Sequence, residues 1–281
     1  MAKVVGVHGI AQEYKGPNSL KAEWLPHLKD GVKSGGKVAF PDDDFEMAYY
    51  GDMFRPPGVM AGGFPPLKPK DLNDEDAELL ELLWRKAARV DPKVPDPDAE
   101  VMGRTPQWVK RALNALSQST FFAGLAEKVM IGTVKQVRLY FSDIKVRADA
   151  INAVGEAVTA DTRVVIGHSL GSVVAFEALA AAKPDWQVHT LITLGSPLGI
   201  RNLVFDRLSP PPVRGRGMRP PILRNWVNVA APGDIVALVP KLADCFDGVT
   251  DARIDTGTQA HDIKPYLTEA LVGQAVLAGL A

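Results

Sequence analysis

The chain has one cysteine, Cys245, in 281 residues. That excludes an internal disulfide and fits a reducing compartment. Nothing electropositive in its sequence neighbourhood would activate the thiol, so Cys245 reads as a small apolar core residue. Charge of one sign is also lacking. Lys and Arg total 32 against 33 Asp and Glu, without the basic surplus that a nucleic-acid binder needs. Long hydrophobic runs are missing too: the opening "MAKVVGVHGI" carries a single Lys and an apolar run too brief for a signal-peptide core or a membrane span. No internal repeat or low-complexity tract is visible. The expectation is a soluble, cytoplasmic protein with no nucleic-acid partner and no membrane span. What is present is apolar residues, 46% of the chain, enough to bury one sizeable core.

Short β-branched runs that end in Gly with His or Ser stand out: "KVVGVHG", "TRVVIGHS" and "HTLITLGS". Each reads as a strand buried in a parallel sheet. "NWVNVAAPGD" reads as another, ending at Pro-Gly-Asp, and "ARIDTG" as a last one. Helix-like segments lie between them: "DIKVRADAINAVGEAV" before the Ser169 strand, "SVVAFEALAAA" after it, and "KPYLTEALVGQAVLAGL" at the close. Strand alternating with helix predicts an α/β fold, a mostly parallel central sheet with helices on both faces. In such sheets function gathers at the carboxyl ends of the strands.

Residues 52–130 break this rhythm and predict a helical cap inserted into a single domain spanning 1–281. "NDEDAELLELLWRKAARV" has acidic residues in its first turn, and "TPQWVKRALNAL" has a Thr cap with Pro at the first helical position. The apolar stripes on these segments (Leu79, Leu83 and Trp84; Trp108, Ala112 and Leu116) pack the cap onto the body, with direct contact to substrate as the alternative. Phe121 and Phe122 are the candidates to line a substrate entrance. The other irregular segment, 201–224, is rich in Pro and Arg. It reads as a solvated excursion, or as a rim that attracts an anionic group.

Gly167-His168-Ser169-Leu170-Gly171 fits G-x-S-x-G with a strand-like run before it and a helix-like run after it. Glycines at both ends permit a sharp turn that would expose the Ser169 hydroxyl as a nucleophile. A neutral serine needs a base oriented by a carboxylate. His27 lies in an early helix-like segment and His189 opens a strand, so both read as structural. His168 is adjacent to the serine and points away from it. His261, between the last strand and the last helix, is the candidate base. Asp234, after the Pro-Gly turn, is the candidate carboxylate, with Asp206 as runner-up and Asp247, Asp251 and Asp255 behind it. Two backbone N–H groups are candidates to bind a developing oxyanion: Leu170, directly after the nucleophile, and Ile10, in the loop that His8 shapes.

The order His-Gly after an early strand, G-H-S-L-G, "TLGSPLG", an Asp after a later strand and a His near the end resembles the α/β-hydrolases. It is similar in particular to lipase- and esterase-like bacterial serine hydrolases, over nearly the whole chain apart from the insertion. The resemblance implies the α/β-hydrolase fold and a triad of Ser169, Asp234 and His261. One departure is that the family has two strands before the His-Gly strand, whereas here that strand comes first, so the sheet should be shortened at one edge.

The expected activity is hydrolysis of a carboxylic ester of a small-molecule acyl substrate through an acyl-enzyme on Ser169, with no metal or organic cofactor implied. Thioesterase, acyltransferase, cyclase or peptidase chemistry would use the same residues. A non-catalytic binding protein on the same fold is the reading from another class, and its usual mark, a missing triad member, is not seen.

Overall fold

The structure is a computed structural model that describes residues 1–55, 68–97, 105–119, 127–234, 236–257 and 261–281, the side chains of 127–129 excepted. Phe121 and Phe122 lie outside the described residues. The strands are β1 (Val4–Val7), β2 (Phe45–Ala48), β3 (Val164–His168), β4 (Thr190–Leu194), β5 (Asn225–Ala230) and β6 (Thr250–Arg253). They form a six-stranded sheet in the order β2-β1-β3-β4-β5-β6, with every neighbouring pair parallel.

The helices are α1 (Pro17–Gly36), α2 (Asp74–Val90), α3 (Pro106–Leu116), α4 (Glu127–Ser142), α5 (Ile144–Ala157), α6 (Leu170–Ala180), α7 (Ile263–Thr268) and α8 (Ala270–Leu280). They divide between the faces of the sheet as strand alternation requires. Val5, Val165 and Leu191 belong to the core shared with α2 to α6. Val4, Ile166 and Ile192 belong to the core shared with α1, α7 and α8. Single-residue alternation in the strands therefore builds two apolar layers.

Three elements differ from the sequence expectation. β2 follows an aspartate-rich turn and carries the half-buried Glu46, so it has no β-branched run to mark it. α4 is rich in Val, Ile, Thr and aromatics, residues that favour strands, and it runs through residue 130, where the insertion was expected to end. The closing helix is two helices. Glu269 is extended, and the Thr268 hydroxyl donates back to the Lys264 carbonyl at 2.9 Å.

The chain leaves β1 toward one edge, where β2 is the last strand, and later returns to β3 on the other side of β1. Strand order thus reverses between β1 and β3, which opens a crevice at their carboxyl ends. His8 and Gly9 follow β1, and Ser169 follows β3.

Candidate active site

Ser169 sits between β3 and α6 with φ 54° and ψ −131°, a left-handed conformation that is rare and strained for a residue with a side chain. The glycines on either side make the turn possible. A Cβ on Gly167 would lie 2.5 Å from Ser172 Cα, and one on Gly171 would lie 2.2 Å from the carbonyl oxygens of both Val7 and His8. Ser169 precedes α6 without capping it through its side chain, so the hydroxyl is not taken up by the helix.

A hydroxyl chain braces the turn from below. Leu198 N–H donates to Ser196 Oγ at 3.2 Å, and Ser172 Oγ donates to the Ser169 carbonyl at 2.6 Å. Because the Ser172 proton is used there, Ser196 is the donor in the 2.7 Å bond between the two hydroxyls. The "GSPLG" segment thereby holds the strained residue in place.

Asp234 and His261 are paired directly, with His261 Nδ1 2.9 Å from Asp234 Oδ2. A carboxylate only accepts, so Nδ1 is the donor in this bond. Asp234 Oδ1 accepts from Val236 N–H at 2.9 Å and Ala237 N–H at 3.3 Å. Tyr266 donates its hydroxyl to Oδ2 at 2.8 Å while accepting from Ala231 N–H at 2.9 Å. Burial pushes the Asp234 carboxyl up, but the His261 charge and these hydrogen bonds outweigh it and hold the group below the ordinary value.

The residues flanking the Ser169 hydroxyl in the chain are fixed as well, and one of them, His168, contacts this pair. The Ser169 N–H donates to the Leu194 carbonyl at 3.1 Å, and the ring of His168 lies 4.7 Å from that of His261. His168 Nε2 donates to the His261 carbonyl at 3.0 Å, so the residue before the serine positions the backbone of the candidate base. Burial, together with the nearby His261, lowers the His168 imidazole to about 3, which keeps it neutral.

His8 has the loop-shaping role expected of it. Its Nδ1 donates to the Gly9 carbonyl at 2.7 Å, its Nε2 accepts from Tyr50 N–H at 3.1 Å, and its ring stacks on Tyr50 at 4.2 Å. Burial lowers its imidazole to about 4. The loop passes directly over the serine: a Cβ on Gly9 would sit 2.7 Å from Ser169 Cβ and 3.3 Å from its Oγ.

Ile10, Ser169 and Leu170 line one cleft. The remaining walls are apolar apart from Thr133. Leu79 and Leu83 come from α2, Val134 and Val137 from α4, and Ile200 and Val204 from the segment after β4. α2 stays against α4 through the buried Asp76, which accepts from Arg138 Nε at 2.7 Å. A hydroxyl that lines an apolar cleft and an Asp-His pair oriented through Nδ1 are the groups that nucleophilic attack on an apolar acyl group requires.

The alternative residues are engaged elsewhere. Asp206 accepts from Asn202 N–H at 2.6 Å, Asp251 from Leu242 N–H at 2.9 Å and Asp255 from Gly257 N–H at 2.8 Å. Asp247 pairs with Arg216. His27 and His189 contact the hydroxyls of Thr268 and Thr190. In the arginine-rich segment, Arg201 donates to the Gly215 carbonyl at 3.2 Å and Arg219 to the Leu223 carbonyl at 2.9 Å. Those cations stiffen the segment itself. Cys245 is buried and its thiol is raised, chiefly by burial.

Among the described residues no group of three or more His, Cys, Asp or Glu side chains could hold a metal ion, and no helix is long and apolar enough to cross a membrane. Sequence reasoning did not reach Tyr266, Ser172, Ser196 or Gln136, whose Oε1 accepts from Ala11 N–H at 2.9 Å. The small polar residues inside "HSLGS" and "GSPL" were the only signal for the hydroxyl chain. The chain matches no family model. No curated protein is significantly similar to it.

Proposed function

We propose that this protein is a serine hydrolase of the α/β-hydrolase fold that cleaves a carboxylic ester through an acyl-enzyme on Ser169. The observation that carries the reading is the Asp234-His261 pair, oriented through Nδ1, together with a serine that is held in a strained turn and lines an apolar cleft. The strand order supports it as well, because the His-Gly strand has one further strand at its outer edge, as a sheet shortened there would.

In this reading His261 Nε2 removes the proton as Ser169 Oγ bonds to the acyl carbon, giving a tetrahedral oxyanion. Asp234 keeps the ring in the productive tautomer and stabilises the imidazolium. The Leu170 N–H, in the first turn of α6 where no intrahelical acceptor exists, and the Ile10 N–H bind the oxyanion. Collapse expels the alcohol, which takes the proton from His261. Water then attacks the acyl-enzyme by the same steps in reverse, releasing the acid and free Ser169. The cleft walls hold the acyl chain and exclude bulk water.

A fluorophosphonate probe tests this directly. The expected result is labelling of Ser169 alone, lost in Ser169→Ala, with turnover of p-nitrophenyl esters exceeding that of matched thioesters and amides. A wild-type protein that is neither labelled nor active on any of the three substrates would overturn the reading in favour of a binding protein.

A further inference from the structure

The loop that would supply the Ile10 donor is fixed from both sides. Gly9 C=O and Ile10 N–H belong to one planar peptide unit and point in opposite directions. His8 Nδ1, by donating to the Gly9 carbonyl at 2.7 Å, aims the Ile10 N–H the other way. On the far side of Ile10, the Ala11 N–H donates to Gln136 Oε1 at 2.9 Å, and the Ile10 carbonyl accepts from Gln12 Nε2 at 3.2 Å. Ala11 has φ 60°, a conformation that alanine adopts only when its surroundings impose it. The Gln136 bond is one of those constraints, and it comes from 125 residues away in the chain.

Gln136 is 5% exposed and sits on α4 among Thr133, Val134 and Val137, which line the cleft. α4 is itself anchored by Arg138 on Asp76 at 2.7 Å and by the Tyr140 hydroxyl on Glu177 Oε2 at 2.5 Å. One helix, α4, therefore lines the cleft and also holds the backbone of the loop that carries Ile10.

We propose that Gln136 is a positioning residue for the oxyanion donor, setting the direction of the Ile10 N–H through Ala11. The proposal rests on the hydrolase reading. A side chain that only filled space here would be replaceable by one of similar shape, whereas a positioning residue needs its acceptor oxygen. Gln136→Met keeps the approximate shape and removes the acceptor; Gln136→Glu keeps an acceptor.

The test is the kcat of each purified protein on a short-chain p-nitrophenyl ester, divided by the sites titrated to completion with fluorophosphonate, with KM measured alongside. Counting only competent sites keeps the result readable if a variant is partly unfolded. Gln136→Met is expected to lose about tenfold to a hundredfold in kcat per site with KM nearly unchanged, as misaiming of one donor short of its outright loss would give. Gln136→Glu should recover most of that loss. Wild-type kcat per site in Gln136→Met, or equal losses in both variants, would overturn the positioning role while leaving the hydrolase reading intact. A wild type without turnover or labelling would overturn both.

Discussion

Tyr266 donates its hydroxyl to Asp234 Oδ2 at 2.8 Å, the same oxygen that His261 Nδ1 reaches at 2.9 Å. The tyrosine and the histidine are thus joint donors to one buried carboxylate. Tyr266→Phe removes one of them and leaves the Ala231 N–H without that acceptor. It should cost about 1.5–3 kcal/mol of stability, the size of a hydrogen bond to a charged group. Asp234→Asn should instead lower turnover by roughly 10⁴, because an amide no longer fixes the His261 tautomer. Urea unfolding and kcat measured on both variants check this. An equal loss of turnover in the two would mean that Tyr266 belongs to the reacting set.

The strain at Ser169 has its own test. At φ 54° glycine is unstrained where alanine is not. Ser169→Gly should therefore be more stable than Ser169→Ala by about 1 kcal/mol, within the range stored by such conformations, while both are inactive. Equal unfolding midpoints would show that the turn carries no such strain.

Acid should destabilise the fold through two buried imidazoles. His8 and His168 are lowered to about 4 and about 3, while in the unfolded chain each titrates near ~6.5. Between these values the unfolded chain binds protons that the native state refuses. Stability is therefore full above about pH 6.5 and falls toward pH 4, by roughly 1.4 kcal/mol per pH unit for each histidine. Asp234, whose carboxyl lies below 3.8, contributes stability that is lost only at still lower pH. Urea titrations from pH 4 to 7.5 should give a shallower slope for His168→Asn than for the wild type, and an unchanged slope would remove His168 from this account.

Chain-length preference should depend on α4. Val137 lines the cleft, and Val137→Phe would fill part of it. The variant should lose about 10-fold to 200-fold in kcat/KM on long acyl esters, the usual discrimination per apolar group in a pocket, with little change on the acetyl ester. A uniform fall across the series would instead mean that the substitution disturbs the reacting groups.

Legibility in the sequence followed locality. β1, β3, β4 and β5 were marked by apolar runs that end at turn residues, whereas "ARIDTG" meets β6 only at Ala252 and Arg253. β2, short and at an edge with Glu46 half-buried, gave no such mark. The Ser169 turn, the Pro-Gly turn before Asp234 and the loop before His261 each leave a local signature, so these three positions could be nominated in advance. Tyr266, Gln136 and the Ser172-Ser196 bond could not. Each acts through a partner on a different element, and only the packed fold brings those partners within reach. α4 misled for another reason: its β-branched content speaks against a helix, yet burial against α2 and α5 decides the outcome.

The contact of α1 with the end of the chain bears on the order of events during synthesis. Gly273 on α8 packs so tightly on α1 that a Cβ there would lie 2.0 Å from the Gly31 carbonyl, and one on Gly31 would lie 2.1 Å from the Leu267 carbonyl. α1 is translated well before α7 and α8, which pack against it. At about 5–20 residues per second, the side of α1 that carries Gly31 and Gly35 waits for its cover until 263–280 clear the ribosome. A chain stalled before residue 263 should accordingly be cut within 17–36 by a protease that spares the finished protein, and resistance there would mean that the residues before 263 cover α1 unaided.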